Sequence, residues 1–468
     1  MANWVKIAMT TGLIGLAGTT PTAAQTTSLA DALVQAYTTN PQLTLQQSAV
    51  RIADEDVINQ RGDLLPTVTQ TGRINQTKDL GDTTVASSIG TGVSLSTRVG
   101  IQLYDGGADR LDIDSAKMSL LASRQQLKDT EQSVLLQTVQ AYIDVRRDQD
   151  FVRLAQNNVR VLREQVRAAN DRFSVGEVTR TDVSQAEARL AASLSSLEAN
   201  KGNLLRSNAS YVAVVGLAPR NLLPPPPAPK IPATMEKAEA VAIAKHPRIL
   251  GAQFQAKAAE IALQSTNKNR QPQIDASLTH TMSDTRRTGS GYTSNSVTAD
   301  ITGQVTWYAG DKLNSARRRA LANFERSQSN LQLQGYLTRQ SLRNAFTGWQ
   351  VARASIVSGR EQVRAAQVAF EGVREEAKLG ARTTLDTLDA EQEVLTARSN
   401  LVAAIRNEYL ATYSVLSEMG LLTAQHLKLG VPIYNPDVNY AKVTKNQTNP
   451  LGLKRLKILD KLKKRKSN

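Results

Sequence analysis

The sequence predicts an α+β membrane protein: a long antiparallel α-helical coiled-coil barrel joined to a transmembrane β-barrel that protomers share, with four strands per chain and two structural repeats. Three observations lead there. The two halves of the chain align end to end, apolar residues recur every seven positions within long helical stretches, and the segments with two-residue alternation are too few to close a cylinder.

The duplication comes first because it organises everything else. Asn40-Pro41 matches His246-Pro247 and Leu65-Pro66 matches Gln271-Pro272, each at an offset of 206. Beyond the next polar stretch the offset is 204: Tyr104-Asp105-Gly106 against Tyr308-Ala309-Gly310, Gly176 against Gly380, Asp182 against Asp386, and Gly216-Leu217 against Gly420-Leu421. A period this long is a duplicated domain, not a solenoid. The expected division is a signal over 1–24, a first repeat over 25–218, a linker over 219–232, a second repeat over 233–424 and a basic tail over 425–468. Pro224, Pro225, Pro226, Pro227 and Pro229 make the linker stiff and extended, because proline lacks the N–H a helix needs.

Composition agrees with long helices. Only 4% of the 468 residues are aromatic, and no cysteine is present, which excludes disulfides, thiolate metal sites, thiol catalysis and a lipid anchor on an N-terminal cysteine. Lys6, the apolar run over 7–16 and the small residues Thr22, Ala23 and Ala24 have the layout of a cleaved secretory signal. The mature chain has no apolar stretch of the 18 residues a membrane helix needs. The formal charge is +15, but ten Lys and Arg lie between Lys442 and Asn468 against Asp460 alone. Such a run reads as a solvated segment or as a patch for anionic partners such as phospholipid headgroups. No nucleic-acid-binding pattern accompanies it, and secretion argues against a genomic partner.

Each copy carries a helical hairpin. Val145, Val152, Val159, Val166 and Phe173 form one heptad stripe; Trp349, Ile356, Val363 and Phe370 form its counterpart. The return helices carry Val183, Leu190, Leu197, Leu204 and Tyr211, then Leu388, Leu395, Val402, Tyr409 and Leu416. The outgoing helix, 109–173, spans on the order of 100 Å at 1.5 Å per residue. Polar residues on its other faces allow sideways packing with one side wet.

Between the short and long helices lie the strands. Val93, Leu95, Thr97, Val99, Ile101 and Leu103 point one way; Val297, Ala299, Ile301, Gly303, Val305 and Trp307 repeat the pattern. Their partners follow prolines: Ile274, Ala276 and Leu278, and Val68, Gly72 and Ile74. Each strand is expected to run about 10 to 12 residues, the length a tilted strand needs to cross a bilayer. The joining loops, 80–92 and 284–296, are polar, and Tyr104, Trp307 and Tyr308 stand at strand ends where a membrane girdle of aromatics belongs. Four strands in lipid leave two edges of unpaired backbone groups, each costing several kcal/mol, so copies must share a barrel. Two copies make eight strands with a filled interior; three or four make an aqueous bore.

The turns carry a family resemblance. Arg172-Phe173-Ser174-Val175-Gly176 followed by Thr181-Asp182, and Leu379-Gly380-Ala381-Arg382-Thr383-Thr384-Leu385-Asp386-Thr387-Leu388-Asp389, resemble the paired hairpin turns of the TolC family of outer-membrane export ducts. The resemblance implies a homotrimer in the Gram-negative outer membrane, in contact with its lipid and with its helices in the periplasm. It implies a periplasmic adaptor (membrane fusion) protein and an inner-membrane ABC or proton-driven pump as partners. It further implies export of proteins by type I secretion, of small toxic compounds, or of both. By motif position Thr181, Asp182 and Arg382 would form the network that holds the tip shut, and Asp386 and Asp389 the acidic rings at its constriction. Arg172, Val175, Gly176, Leu379 and Gly380 would present the turns to the adaptor. A tyrosine found in some members is Ala377 here.

No catalytic, cofactor or metal constellation is expected: His246, His280 and His426 are scattered, with no metal-ligand spacing and no phosphate-cradling glycine motif. The competing readings are a secreted structural or adhesive coiled-coil protein without channel activity and a self-contained porin.

Overall fold

The computed structural model of the chain describes residues 26–78, 89–287 and 290–445. The expected signal, part of the first strand-pair loop and most of the basic run lie outside them.

Two short helices, α1 (Leu29–Thr39) and α2 (Pro41–Gly62), precede strands β1 (Thr67–Lys78) and β2 (Ile89–Tyr104) and a hairpin of α3 (Ala108–Ser174) with α4 (Arg180–Val215). The order returns in α5 (Met235–Lys245), α6 (Pro247–Lys268), β3 (Gln273–Arg287), β4 (Ser290–Gln304), α7 (Lys312–Lys378) and α8 (Thr384–Glu418), and α9 (Pro436–Lys445) follows. The duplicated X-Pro pair starts α2 and α6. Asn40 Oδ1 accepts from the Gln42 backbone N–H at 2.9 Å, and His246 Nδ1 accepts from that of Arg248 at 3.2 Å, while proline fills the first helical position, where no N–H is needed. Burial pushes the His246 pKa down to about 4, which keeps the ring neutral and able to cap.

The long helices α3 and α7 each run 67 residues. Val152, Ala155, Val159, Leu190 and Leu197 pack α3 on α4, as the heptads require. The α8 stripe behaves differently. Val394 and Ala397 face Val363, Ala366 and Phe370 of α7, whereas Leu388 and Leu395 line a groove against Phe151, Leu154 and Leu162 of α3. With a neighbour on each side, α8 needs two apolar faces, and the seven-residue stripe traces only one of them.

The main core sits at mid-height, where Leu33, Leu135, Val139, Tyr142, Tyr211, Tyr413 and Leu416 join α1 to both hairpins. Two tyrosines hold the proline linker there. Tyr409 donates to the Pro226 carbonyl at 2.9 Å, and the Tyr142 hydroxyl lies 2.6 Å from that of Leu223.

The four strands form one antiparallel sheet in the order β1-β2-β3-β4. Register aligns the apolar sets: Val68, Val99, Leu278 and Ala299 stand side by side, as do Gly72, Leu95, Met282 and Asn295. Opposed residues in antiparallel strands share a face, so one face is largely apolar and the other carries Thr, Ser, Arg98, Gln102, Asp275 and Asp300. Every residue of β1 and β4 is exposed, Val297 and Ile301 at 67% and 78%. No described helix is long and apolar enough to cross a membrane.

β1, at 12 residues, has the expected length, and the other three strands exceed it, at 16, 15 and 15. Most of the expected loop 284–296, and the end of the expected loop 80–92, is strand: the ladder pairs Asp284 with Thr293 and Arg287 with Ser290, and Lys78 with Ile89. Polar side chains do not end a ladder whose backbone groups keep finding partners beyond the hydrocarbon.

Candidate functional site at the hairpin tips

The turns at the far ends of the two hairpins are built alike. Gly176 and Gly380 take left-handed backbone (φ +83° and +79°), which glycine adopts at little cost. The Glu177 N–H reaches the Arg172 carbonyl at 2.9 Å and the Ala381 N–H that of Glu376 at 2.9 Å, closing each outgoing helix in a Schellman motif. Thr179 and Thr383 then cap the return helices. The Asp182 carboxylate accepts from the Thr179 hydroxyl at 2.7 Å and N–H at 2.8 Å, and Asp386 does the same to Thr383 at 2.8 and 2.9 Å. These bonds hold both aspartates below the usual carboxylate range.

Within one protomer the gating candidates act locally. Asp182 is bound to its own helix start, Thr181 is exposed on the first turn of α4, and Arg382 Nε donates to Glu376 at 2.8 Å. Among the described residues no contact joins Asp182 to Arg382. Val175 and Leu379, equivalent positions ahead of the turn glycines, are 69% and 87% exposed, so each tip ends in an uncovered apolar side chain. Arg172 lies in the last turn of α3. Tyr104 ends β2, while Trp307 and Tyr308 follow β4 and stand 92% and 86% exposed.

Sequence reasoning missed the contacts between the hairpins. Arg189 of α4 pairs with Asp389 of α8 at 2.7 Å. Two residues further along α8, Glu391 Oε2 accepts from Gln165 Nε2 of α3 at 2.6 Å, and burial pushes the Glu391 pKa up to about 7. Arg406 of α8 pairs with Asp144 of α3 at 2.8 Å. Arg189 and Glu391 line the groove of ≈ 300 Å³ that separates α3 and α4 from α8. A signal existed in the duplication: the equivalent of Arg189 is Glu393 and that of Asp389 is Gln185, so the pair appears where the copies differ in charge. Among the described residues no group of side chains could hold a metal ion.

A sheet with one apolar face and two free edges, carried on helices of about 100 Å, defines the protomer of a membrane channel. The family model for outer membrane efflux proteins matches residues 32–217 and 240–418, and the chain belongs to that family, the TolC-type outer-membrane channel-tunnels. It is 32% identical to the outer membrane efflux protein BepC of Brucella suis, over 92% of this chain and 93% of that one. It is 24% identical to the outer membrane protein TolC of Escherichia coli over 68% of each. The fold matches that of the Campylobacter jejuni CmeC outer membrane channel with a TM-score of 0.74, at 15% identity over 90% of each chain. The protein is an outer-membrane channel-tunnel of a Gram-negative envelope, with its helical part in the periplasm, and its family is one of transport rather than catalysis.

Proposed function

We propose that three copies close a twelve-stranded barrel and a continuous helical tunnel, which receives substrates from an inner-membrane pump through a periplasmic adaptor. The free edges of β1 and β4 carry this reading. In lipid each unpaired backbone group costs several kcal/mol, and pairing β4 of one copy with β1 of the next removes both edges. Three copies are the fewest that leave an aqueous bore. Tyr104, Trp307 and Tyr308 anchor the sheet at the periplasmic rim, where amphipathic rings favour the headgroup layer.

The exposed Val175 and Leu379 fit the turns, with Arg172, Gly176 and Gly380, as the adaptor-docking surface. Asp386 and Asp389, repeated by symmetry around a narrow bore, focus negative potential and favour cations. Thr181, Asp182 and Arg382 make the closed tip by meeting across protomers, since within one protomer they are apart. The substrates are proteins delivered by type I secretion, small toxic compounds, or both. Membrane extraction, mass determination in detergent and planar-bilayer recording test the reading together. A trimer that forms long-lived channels supports it; a water-soluble monomer without conductance overturns it.

A further inference from the structure

The duplication leaves one helix seam without its counterpart. α6 packs against the long helix of its own repeat, α7, and against that of the other repeat, α3. Its equivalent, α2, packs against α3 of its own repeat and against α9. Val50 and Val57 lie on Leu120 of α3, and Asn439 Nδ2 of α9 donates to the buried Asp54 Oδ2 at 2.8 Å. The other side of α2 stays open, with Leu45 and Ile52 69% and 63% exposed.

The inner seam shows what fits that open side. α6 and α3 run antiparallel: Arg248 Nε donates to Asp129 at 3.0 Å, a Cβ on Gly251 would lie 3.5 Å from Gln125 Cβ, and Ser115 Oγ donates to the Ala258 carbonyl at 3.0 Å. Shifted by 206 in the short helices and by 204 in the long ones, these pairs become Gln42 with Leu333, Leu45 with Ser329, and Ile52 with Arg319. All six residues are exposed in the single chain. Bulk is exchanged between the two sides: glycine faces glutamine in the inner seam, and leucine would face serine in the outer one.

Charge points to the same fit. Glu55 and Asp56 follow Ile52 by one helical turn, and Arg317 and Arg319 open α7; among the described residues none of the four has an ion-pair partner, whereas Arg318 is taken up by Asp311. Set where Ser115 stands, Arg319 faces the Ile52 carbonyl, which points along the helix towards both acids.

We propose that α2 of each copy packs against α7 of the next along this second seam, so that every short helix in the ring lies between two long ones. The proposal rests on the three-copy reading of the channel and adds to it the residues that meet.

The chain has no cysteine, so an engineered pair reports without background. Leu45→Cys with Ser329→Cys places the sulfurs where a disulfide spans them, at about 3.5–4.5 Å between Cβ atoms. Oxidised in outer membranes and run on a heated, non-reducing denaturing gel, the double variant should migrate as a covalent trimer, and reductant should return it to the monomer. Glu55→Arg with Asp56→Arg, or Arg317→Glu with Arg319→Glu, should cut the trimer fraction in detergent about tenfold, and the combined reversal should restore it. A combination that stays low overturns the charge pairing, as does a loss confined to the arginine variant, which would assign those residues to anionic headgroups. Mass determination of the parent chain in detergent keeps the two readings apart. A trimeric parent whose double variant yields only monomers after oxidation overturns this seam and leaves the three-copy reading standing; a parent that forms no trimer overturns both.

Discussion

Arg189 and Asp389 meet at 2.7 Å across two hairpins whose partners lie 200 residues apart in the chain. Their side chains are 44% and 57% exposed, so the pair adds only about 0.2–1 kcal/mol to stability. Its position matters more than its strength, because it ties α8 to α4 within about three helical turns of the tip. Arg189→Ser and Asp389→Asn should each raise single-channel conductance in planar bilayers, and the double variant should add little to either. Additive increases in the double variant would show that the two residues act separately.

Asp182→Ala or Arg382→Ser should likewise raise conductance by loosening the closed tip. Thr179→Ala removes the same helix cap as Asp182→Ala without removing the charge. Comparing the two therefore separates gating from capping. Unchanged conductance in both Asp182→Ala and Arg382→Ser would take this network out of the mechanism.

Glu391 predicts a pH dependence. Its pKa is raised from 4.5 to about 7 by burial, so ionisation is disfavoured where α8 meets α3. The sign follows from linkage: below pH 4.5 the acid is neutral folded or unfolded, the cost of keeping it folded grows from there to about pH 7, and above that it is complete. The seam should be firmer at pH 5 than at pH 8, visible as slower amide exchange around Gln165 and Glu391. Asp109, raised to about 6 at the other end of α3, titrates in the same range. Glu391→Gln is therefore the deciding control, and it should flatten the dependence at the seam alone.

Gly420 closes the second repeat with φ +73°, and a Cβ there would lie 2.8 Å from the Lys245 carbonyl oxygen and 2.9 Å from His246 Cα. Both obstacles are backbone, which has little freedom to move. Gly420→Ala should cost at least about 2 kcal/mol and lower the melting temperature in detergent. Gly176→Ala, with nothing within 4 Å of the added carbon, should cost less.

The sequence by itself determined the duplication, the long hairpins, the alternation that gives the sheet its apolar face and the chemistry of the turns. Each is written in short repeats: seven residues for Val145 to Val166, two for Val93 to Ile101, three from Thr179 to Asp182. Tertiary structure decided what those elements meet. Nothing near Glu391 in the chain reveals that Gln165 will face it, and nothing near Asp54 that Asn439 will reach it from α9. Backbone periodicity is local, so the sequence states it. A contact between helices depends on how their axes lie, which each helix leaves open until the core around Tyr142, Tyr211 and Tyr413 sets the two hairpins against one another.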